Sequence, residues 1–282
     1  MTRLRPRLVL ISALALCSVV SVLLGDEPPA DKTGRKPPTI APPTEKELAD
    51  ERMQFMKKAL GRYTIQVGEQ KEPATVGDPC LRWTNPINGA PDGVVAVYAY
   101  KGGRPAALGQ LFLGTEWVNE FTIIAESDVT IKRSGRLFWK PLEYVCKFAD
   151  LPHSPTPADK PVLRSAQMRA IAGDFSAISH FRGDEHNLRL LPQPIYRYSE
   201  KGKILDGALF VYVLGTDPDC GLLLEAYQDG KDSRYRYALA PITVFKLEVR
   251  YKDREVWSVE GIHNRAILST RYIPEPSETI PK

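Results

Sequence analysis

The sequence predicts an α+β fold with an internal duplication, in which each half is one helix packed on a curved antiparallel sheet of about five to six strands. Short apolar segments bounded by turn residues recur along most of the chain, which is typical of antiparallel strands. A helical pattern precedes each of the two series of segments. The stretch DGVVAVY at 92–98 also returns as DGALFVY at 206–212.

The amino terminus predicts a signal peptide over residues 1–25. Three arginines within the first seven residues precede an apolar run from Leu8 to Leu24, and Gly25 offers a small residue for cleavage. We therefore expect the protein to be exported, either secreted or held in the cell envelope or periplasm. An uncleaved anchor is the alternative, because the run is at the short limit for a spanning helix. After cleavage no membrane span is expected.

The rest of the chain divides into four predicted segments. Residues 26–43 contain three Pro-Pro pairs and predict an extended linker. The first repeat is predicted over 44–151 and the second over 152–263. Residues 264–282 predict a disordered tail.

The first predicted helix begins after Thr44, which forms a capping box with Glu47, and ends at Gly61. Its core face recurs at helical spacing and consists of Ala49, Met53, Met56 and Leu60.

The duplication rests on a series of corresponding residues that keep one order in both halves. Their offset drifts only from 112 to 118 residues. The pairs include Met56 with Met168, Arg82 with Arg197, Asp92 with Asp206, Tyr98 with Tyr212, and Trp139 with Trp257.

The repeated stretch itself predicts a turn followed by a core strand. Asp-Gly is ordinary turn chemistry, since glycine adopts positive φ without strain. Val94–Tyr100 and Ala208–Leu214 are apolar on both alternations, which is typical of strands covered on both faces. We expect the helix to cover one face and the other half of the molecule, or another layer, to cover part of the second, so that the halves pack closely.

Charge disfavours nucleic acid as a partner. Without the three arginines of the predicted signal, 35 basic residues face 34 acidic ones, a net charge of +1. Phosphate binding needs a clustered positive excess. The sequence also lacks a nucleophile elbow and a phosphate-binding loop, so we predict no catalytic residue and no cofactor.

Three cysteines follow the predicted signal: Cys80, Cys146 and Cys220. Export permits one disulfide with one thiol left over, and three buried thiols are the alternative.

Two groups of residues are candidate sites. His180, Asp184 and His186 could bind a metal at the tip of a hairpin whose turn is predicted over 183–185, although a solvated polar turn explains the same pattern. Asp217 and Asp219 suggest a calcium loop but lack the third acid, so a hairpin turn is favoured.

The second candidate site interleaves basic and aromatic residues: Tyr196, Tyr198, Arg234, Tyr235, Arg236 and Tyr237. On a strand, Arg234 and Arg236 share one face and the tyrosines share the other. If the arginine and tyrosine rows of neighbouring strands align, they predict an amphipathic platform for glycan or anionic ligands. The alternative is a half-buried strand with tyrosines inside and arginines in water.

Three stretches resemble a family of uncharacterised exported proteins of planctomycete bacteria: PCLRWTNP at 79–86, QMRAIAGDF at 167–175, and LPQPIYRY at 191–198 continuing into LDGALF at 205–210 and LGTDP at 214–218. The likeness spans residues 50–260. It implies export and a single architecture, and it implies no site residue.

The sequence as a whole favours an exported, non-catalytic binding or cell-envelope protein. Its ligand would be a glycan, an anionic polymer or another envelope protein. A hydrolase with a site between the two repeats is one alternative, because clefts between domains are common ligand sites. A carrier of an apolar ligand is the other.

Overall fold

A computed structural model describes residues 42–69, 72–86, 89–100, 102–114, 116–142, 146–262 and 272–276. The predicted signal peptide and nearly all of the predicted linker lie outside these residues. Within the described part of the chain, neither helix has the length and apolar character that crossing a membrane requires.

The predicted fold class is wrong, because the protein is mostly β. Strands account for 54% of the structure and helices for 14%, and the sheets include a half-barrel. The physical reason is that the apolar segments form long strands that pack sheet against sheet. The two helices seen in the described residues each cover only one outer face.

The first helix, α1 (Glu45–Leu60), begins as predicted. The Glu47 amide donates to Thr44 Oγ1 at 3.3 Å, and the Thr44 amide donates to Glu47 Oε2 at 2.7 Å, which completes the capping box. The second helix, α2 (Pro161–Gly173), has no side-chain cap. Its first residue is a proline, at a position where no amide hydrogen is needed.

The amino-terminal half forms two sheets, and residues 272–276 add one strand to the second of them. Strands β1 (Tyr63–Val67), β7 (Val129–Arg133) and β8 (Arg136–Trp139) pair in the order β1-β7-β8. The second sheet contains β2 (Thr75–Val76), β3 (Leu81–Asn85), β4 (Ala90–Ala99), β5 (Pro105–Leu113), β6 (Trp117–Ile123) and β18 (Tyr272–Pro276). Its order is β18-β6-β5-β4-β2, with β3 also paired to β4.

The carboxy-terminal half forms eight strands of a nine-stranded sheet, and the ninth strand comes from residues 149–150. The strands of this sheet are β9 (Ala149–Asp150), β10 (Phe175–Phe181), β11 (Asp184–Leu190), β12 (Tyr196–Glu200), β13 (Ile204–Leu214), β14 (Asp217–Asp229), β15 (Asp232–Pro241), β16 (Leu247–Tyr251) and β17 (Arg254–Val259). The order is β17-β16-β10-β11-β13-β14-β15-β9, and β12 pairs with β13.

The sheets of the two halves pack against each other. Val97 and Leu108 share one buried cluster with Leu209, Val211 and Leu223. On the outer faces, Met56 of α1 packs with β4 and β5, and Met168 of α2 packs with the nine-stranded sheet. The prediction that β4 and β13 are covered on both faces is therefore confirmed.

The Asp-Gly pairs are not turns, contrary to the prediction. Both lie inside strands, β4 and β13, and neither glycine has positive φ. A Cβ on Gly93 would lie 2.7 Å from the Trp83 ring, and a Cβ on Gly207 would overlap the Tyr198 ring. Glycine is needed at these positions because an aromatic ring from the neighbouring strand lies directly on the backbone.

The aspartate and tyrosine of DGVVAVY form hydrogen bonds that hold α1 against its sheet. Asp92 Oδ2 accepts from Arg52 Nε of α1 at 2.8 Å and from Arg82 Nη2 of β3 at 2.6 Å. The Tyr98 hydroxyl donates to the Leu60 carbonyl at the end of α1 at 2.7 Å.

DGALFVY makes the corresponding contacts with α2. Asp206 accepts from Arg197 of β12 at 2.5 Å and lies 3.5 Å from Arg164 of α2. The Tyr212 hydroxyl donates to the Ala172 carbonyl at 3.0 Å. The two central strands also pair alike, β4 with β2, β3 and β5, and β13 with β11, β12 and β14. The duplication itself stays a prediction.

Part of the predicted disordered tail is ordered. Residues 272–276 form β18, which pairs antiparallel with β6 from Tyr272 opposite Thr122 to Pro276 opposite Val118. Proline is tolerated here because β18 is an edge strand. The other residues of the predicted tail lie outside the described part of the chain.

Candidate functional site

A cleft of about 900 Å³ lies where the two halves meet, and we call it the seam cleft. The amino-terminal half contributes the end of β1, the turn between β4 and β5, and the segment after β6. The carboxy-terminal half contributes β12, its following turn and the middle of β14. The seam was the place where the hydrolase hypothesis expected a site.

The floor of the seam cleft is the carboxylate of Glu225, which is fully buried. Its Oε1 accepts from the Tyr198 hydroxyl at 2.9 Å, and its Oε2 accepts from Arg236 Nε at 2.7 Å. Because both oxygens are hydrogen-bonded and one partner is a cation, burial of the charge is compensated and its position is fixed.

Strand register explains how this cluster forms. Tyr198, Gly207, Glu225 and Arg236 lie directly opposite one another on four successive strands, β12 to β15. Residues that are opposite in an antiparallel pair share a face. Gly207 has no side chain, so the Tyr198 ring lies across β13 and reaches Glu225.

Arg104 brings a second cation from the amino-terminal half. Its Nε lies 3.8 Å from Glu225 Oε1 and its Nη1 lies 3.6 Å from Glu200 Oε2. The side chain is about one third exposed, at 32%. Arg104 therefore faces the cleft while its charge is partly balanced by the two carboxylates.

Aromatic rings flank these charges. The Arg236 guanidinium lies 4.5 Å from the Phe148 ring centre and 4.9 Å from that of Tyr227, which is cation–π geometry. Burial raises the pKa of Tyr198 well above its ordinary value, and Glu225 raises it further. Burial also raises the pKa of Tyr100. Both phenols therefore stay protonated at neutral pH, and the Tyr198 hydroxyl donates its proton to the hydrogen bond with Glu225.

The predicted arginine–tyrosine platform does not form as one surface. Tyr196, Tyr198 and Arg236 lie on the face toward the seam, where the Tyr196 hydroxyl donates to the Gly103 carbonyl at 2.7 Å. Tyr235 and Tyr237 lie on the opposite face, buried in the cluster around α2. The alternative of inward tyrosines describes these two residues.

The remaining platform residue, Arg234, lies at the exposed end of β15 and pairs with Asp229 at 3.3 Å. Only half of the predicted set is thus brought together, and it lines or supports a cleft rather than an open platform.

The predicted metal trio is not assembled. The turn of the hairpin is Arg182-Gly183, both with positive φ, and not 183–185. His180 is opposite Glu185 while His186 is opposite Ser179, so the two histidines point to different faces. His180 Nε2 instead lies 3.2 Å from Glu248 Oε1. No group of three metal-capable side chains occurs among the described residues.

The Asp217–Asp219 segment is neither a calcium loop nor a turn. Both residues belong to β14, and Asp219 is buried. Burial raises its pKa to about 7, and the nearby Asp217 charge contributes.

The three cysteines of the described residues are free thiols. Burial raises the pKa of Cys80 to about 11, and it also raises the pKa of Cys146 and Cys220. A raised pKa disfavours the thiolate, so none of the three is an activated nucleophile.

Sequence reasoning missed Glu225 and Arg104. Glu225 carried a signal, because it is the one charge inside the apolar run CGLLLEAY at 220–227 and lies on an alternation that faces another sheet. A charge at such a position needs a buried partner. Arg104 carried no comparable signal, since it sits in a turn.

Neither a family model, nor a curated protein, nor a solved structure was found to match the chain. The resemblance to exported planctomycete proteins therefore stays a prediction.

Proposed function

We propose that this protein is an exported, non-catalytic binding protein and that the seam cleft binds a segment of glycan. The observation that carries the proposal is the fixed Glu225 cluster, in which Tyr198 and Arg236 hold the carboxylate below the partly exposed Arg104. Polar groups held in place before binding lose little entropy when a ligand arrives. The cleft volume of about 900 Å³ is within the usual range for ligand sites.

The charge of the lining favours a glycan over an anionic polymer. The cleft presents cations and carboxylates in similar number: Arg104, Lys201 and Lys203 against Glu69, Glu126, Glu200 and Glu225. A polyanion would need an excess of one sign. A neutral ligand rich in hydroxyl groups can donate to the carboxylates and accept from the cations, while Tyr100 and Phe148 offer apolar surface.

Export is part of the proposal and is supported by the sequence alone. The basic residues, apolar run and small residue of 1–25 form the pattern of a secretory signal. A glycan ligand fits a secreted or envelope location, where polysaccharides are abundant.

A hydrolase is the second candidate, because Glu200 and Glu225 both lie within 4 Å of the Arg104 guanidinium. Glycosidases use two carboxyl groups on either side of the scissile bond. Binding without hydrolysis is favoured because Glu225 already accepts hydrogen bonds on both oxygens. A carrier of apolar ligands gains no support from the seam cleft, whose lining is charged.

A glycan array followed by calorimetry tests the proposal. We expect the purified protein to bind an oligosaccharide, and Arg104→Ala to weaken that binding by at least tenfold, about 1.4 kcal/mol. Arg254→Ala is the matched control, since Arg254 is exposed and does not line the cleft. Equal affinity in all three proteins would refute the assignment of the cleft. Release of new reducing ends during incubation, lost in Glu200→Gln, would favour the hydrolase.

A further inference from the structure

The turn that joins β4 to β5 carries Arg104 into the seam cleft, and it contains two adjacent glycines. Gly102 and Gly103 both have positive φ, 105° and 93°. Within the turn, the Tyr100 amide donates to the Arg104 carbonyl and the Gly103 amide donates to the Tyr100 carbonyl, each at 2.9 Å. Glycine loses more backbone freedom on ordering than any other residue, so this turn is costly to fix in one conformation. A contact from outside the turn therefore has a large effect on its order.

Such a contact comes from Tyr196, the first residue of β12 in the other half. Its hydroxyl donates to the Gly103 carbonyl at 2.7 Å, across the seam and between residues 93 positions apart in sequence. The Tyr196 ring is stacked on the Tyr198 ring, with centres 6.1 Å apart and planes inclined by 27°, so β12 sets the direction of the hydroxyl. Burial raises the pKa of Tyr196, and the hydroxyl therefore keeps its proton at neutral pH.

The guanidinium of Arg104 depends on the backbone of this turn for its position. Glu200 and Glu225, the two carboxylates that balance its charge, lie 3.6 and 3.8 Å from its nitrogens, beyond hydrogen-bond distance. Each carboxylate has a closer cation of its own: Lys203 Nζ lies 3.0 Å from Glu200, and Arg236 Nε lies 2.7 Å from Glu225. Neither carboxylate therefore fixes the direction of Arg104 by a hydrogen bond.

We propose that Tyr196 is a positioning residue of the seam cleft, whose hydroxyl orders the turn so that Arg104 faces the ligand. This inference rests on the proposed glycan function and adds a residue that supports it. Tyr196 does not line the cleft, so it acts through Gly103 and Arg104 and not by touching the ligand. A residue of one half thus sets the position of a cation that belongs to the other half.

Tyr196→Phe tests the proposal, because it removes only the hydroxyl. We expect its affinity for the glycan selected from the array, measured by calorimetry, to fall by about three- to tenfold, which is the usual effect of losing one hydrogen bond. Tyr212→Phe is the matched control. The Tyr212 hydroxyl also donates to a backbone carbonyl, that of Ala172 at 3.0 Å, but Tyr212 packs in the cluster around α2 and does not line the cleft. Unchanged affinity in Tyr196→Phe, or an equal loss in both variants, would overturn the proposal.

A double-mutant cycle shows whether Tyr196 acts through Arg104. In the Arg104→Ala background, Tyr196→Phe should cause no further loss of affinity, because the guanidinium that it positions has been removed. A further loss as large as that in the wild-type background would mean that Tyr196 acts independently of Arg104. That result would refute the positioning role even though Tyr196 affects binding.

Amide exchange without any ligand separates this inference from the proposed function. The Tyr100 and Gly103 amides donate within the turn, and NMR should show them exchanging about three- to tenfold faster in Tyr196→Phe than in the wild type. Unchanged exchange at both amides would overturn the inference even if a glycan binds. Faster exchange in a protein that binds no glycan would refute the proposed function alone, and would still support Tyr196 as the residue that orders the Arg104 turn.

Discussion

Asp219→Asn should change how the stability of the protein depends on pH. Burial raises the pKa of the Asp219 carboxyl from 3.8 to about 7, and the Asp217 charge adds to the rise. Between these two pH values the folded protein therefore holds a proton that the unfolded chain has released. Stability from this group is fully present below pH 4 and is lost as the pH rises through 7.

The size of the effect follows from the same two values. One pKa unit corresponds to about 1.4 kcal/mol, so the wild-type protein loses up to roughly 4 kcal/mol through Asp219 between pH 4 and pH 8. Asparagine resembles the protonated acid and does not ionise. We expect Asp219→Asn to match the wild type near pH 4 and to be more stable by up to that amount at pH 8.

Urea unfolding at pH values from 4 to 9 measures the difference between the two proteins. Comparing wild type with Asp219→Asn removes the contribution of other carboxylates, including Asp92, which act in the opposite direction. Asp232→Asn is the control and should differ from wild type by a constant amount. A difference between wild type and Asp219→Asn that does not grow with pH would refute the reasoning about this site.

Three further predictions concern the fold and the cleft. Asp92→Ala should reduce the free energy of unfolding by about 1.5–3 kcal/mol in urea titrations, because it removes the hydrogen bonds that Arg52 and Arg82 donate to a buried carboxylate, and a loss below 1 kcal/mol would contradict the role of Asp92 in holding α1 on its sheet. Gly207→Ala should displace the Tyr198 ring, lower the free energy of unfolding by about 1–3 kcal/mol and abolish glycan binding. Gly173→Ala should have none of these effects, because a methyl group there meets open space. Equal stability of the two variants would count against the close approach of the Tyr198 ring to Gly207. Cys146 and Cys220 should resist iodoacetamide at pH 8 until urea unfolds the protein, as mass spectrometry of the labelled peptides would show, and rapid labelling of the native protein would be inconsistent with their burial.

The stability contributed by Asp92 depends on pH in the opposite direction to that contributed by Asp219. Burial alone would raise the pKa of its carboxyl, but hydrogen bonds from Arg82 and Arg52 outweigh burial and hold the pKa below 3.8. The stability from this group is therefore present above pH 4 and is lost as the pH falls below it.

Local signals predicted the parts of the fold that depend on neighbouring residues. The Thr44 capping box and the end of α1 near Gly61 follow from residues three or four positions apart. The double apolar alternation of β4 and β13 also identified strands buried on both faces. The predicted fold class was wrong although each half contains a helix, because the strands, up to 13 residues long, make up far more of the structure than the helices do.

The Asp-Gly pairs failed for a different reason. The same dipeptide serves a tight turn and a close approach of a ring to the backbone, and the two uses differ in which residue of the neighbouring strand lies opposite the glycine. Trp83 lies opposite Gly93, and Tyr198 lies opposite Gly207. Contacts of this kind depend on strand register, which one sequence does not reveal.

Only part of the candidate site could be predicted from the sequence. The alternation of basic and aromatic residues pointed to Tyr198 and Arg236. The predicted platform, however, included residues from both faces of β15, and a single ligand surface can use only one face. Tyr235 and Tyr237 instead pack against α2. A cleft lies at the seam between the halves, which pack as two layers because doubly apolar strands require cover on both faces. Arg104 lines the cleft only because the two halves pack against each other, which the sequence around it does not show.

Hydrogen exchange with and without a glycan selected from the array tests the central claim most directly, because it locates the ligand on the chain. We predict slower exchange at residues 102–105 and 199–203, which come from opposite sides of the seam cleft. Both segments should lose this protection in Arg104→Ala at the same ligand concentration. Protection confined to the hairpin at 180–186, or absent from both cleft segments while the glycan is bound, would contradict the account.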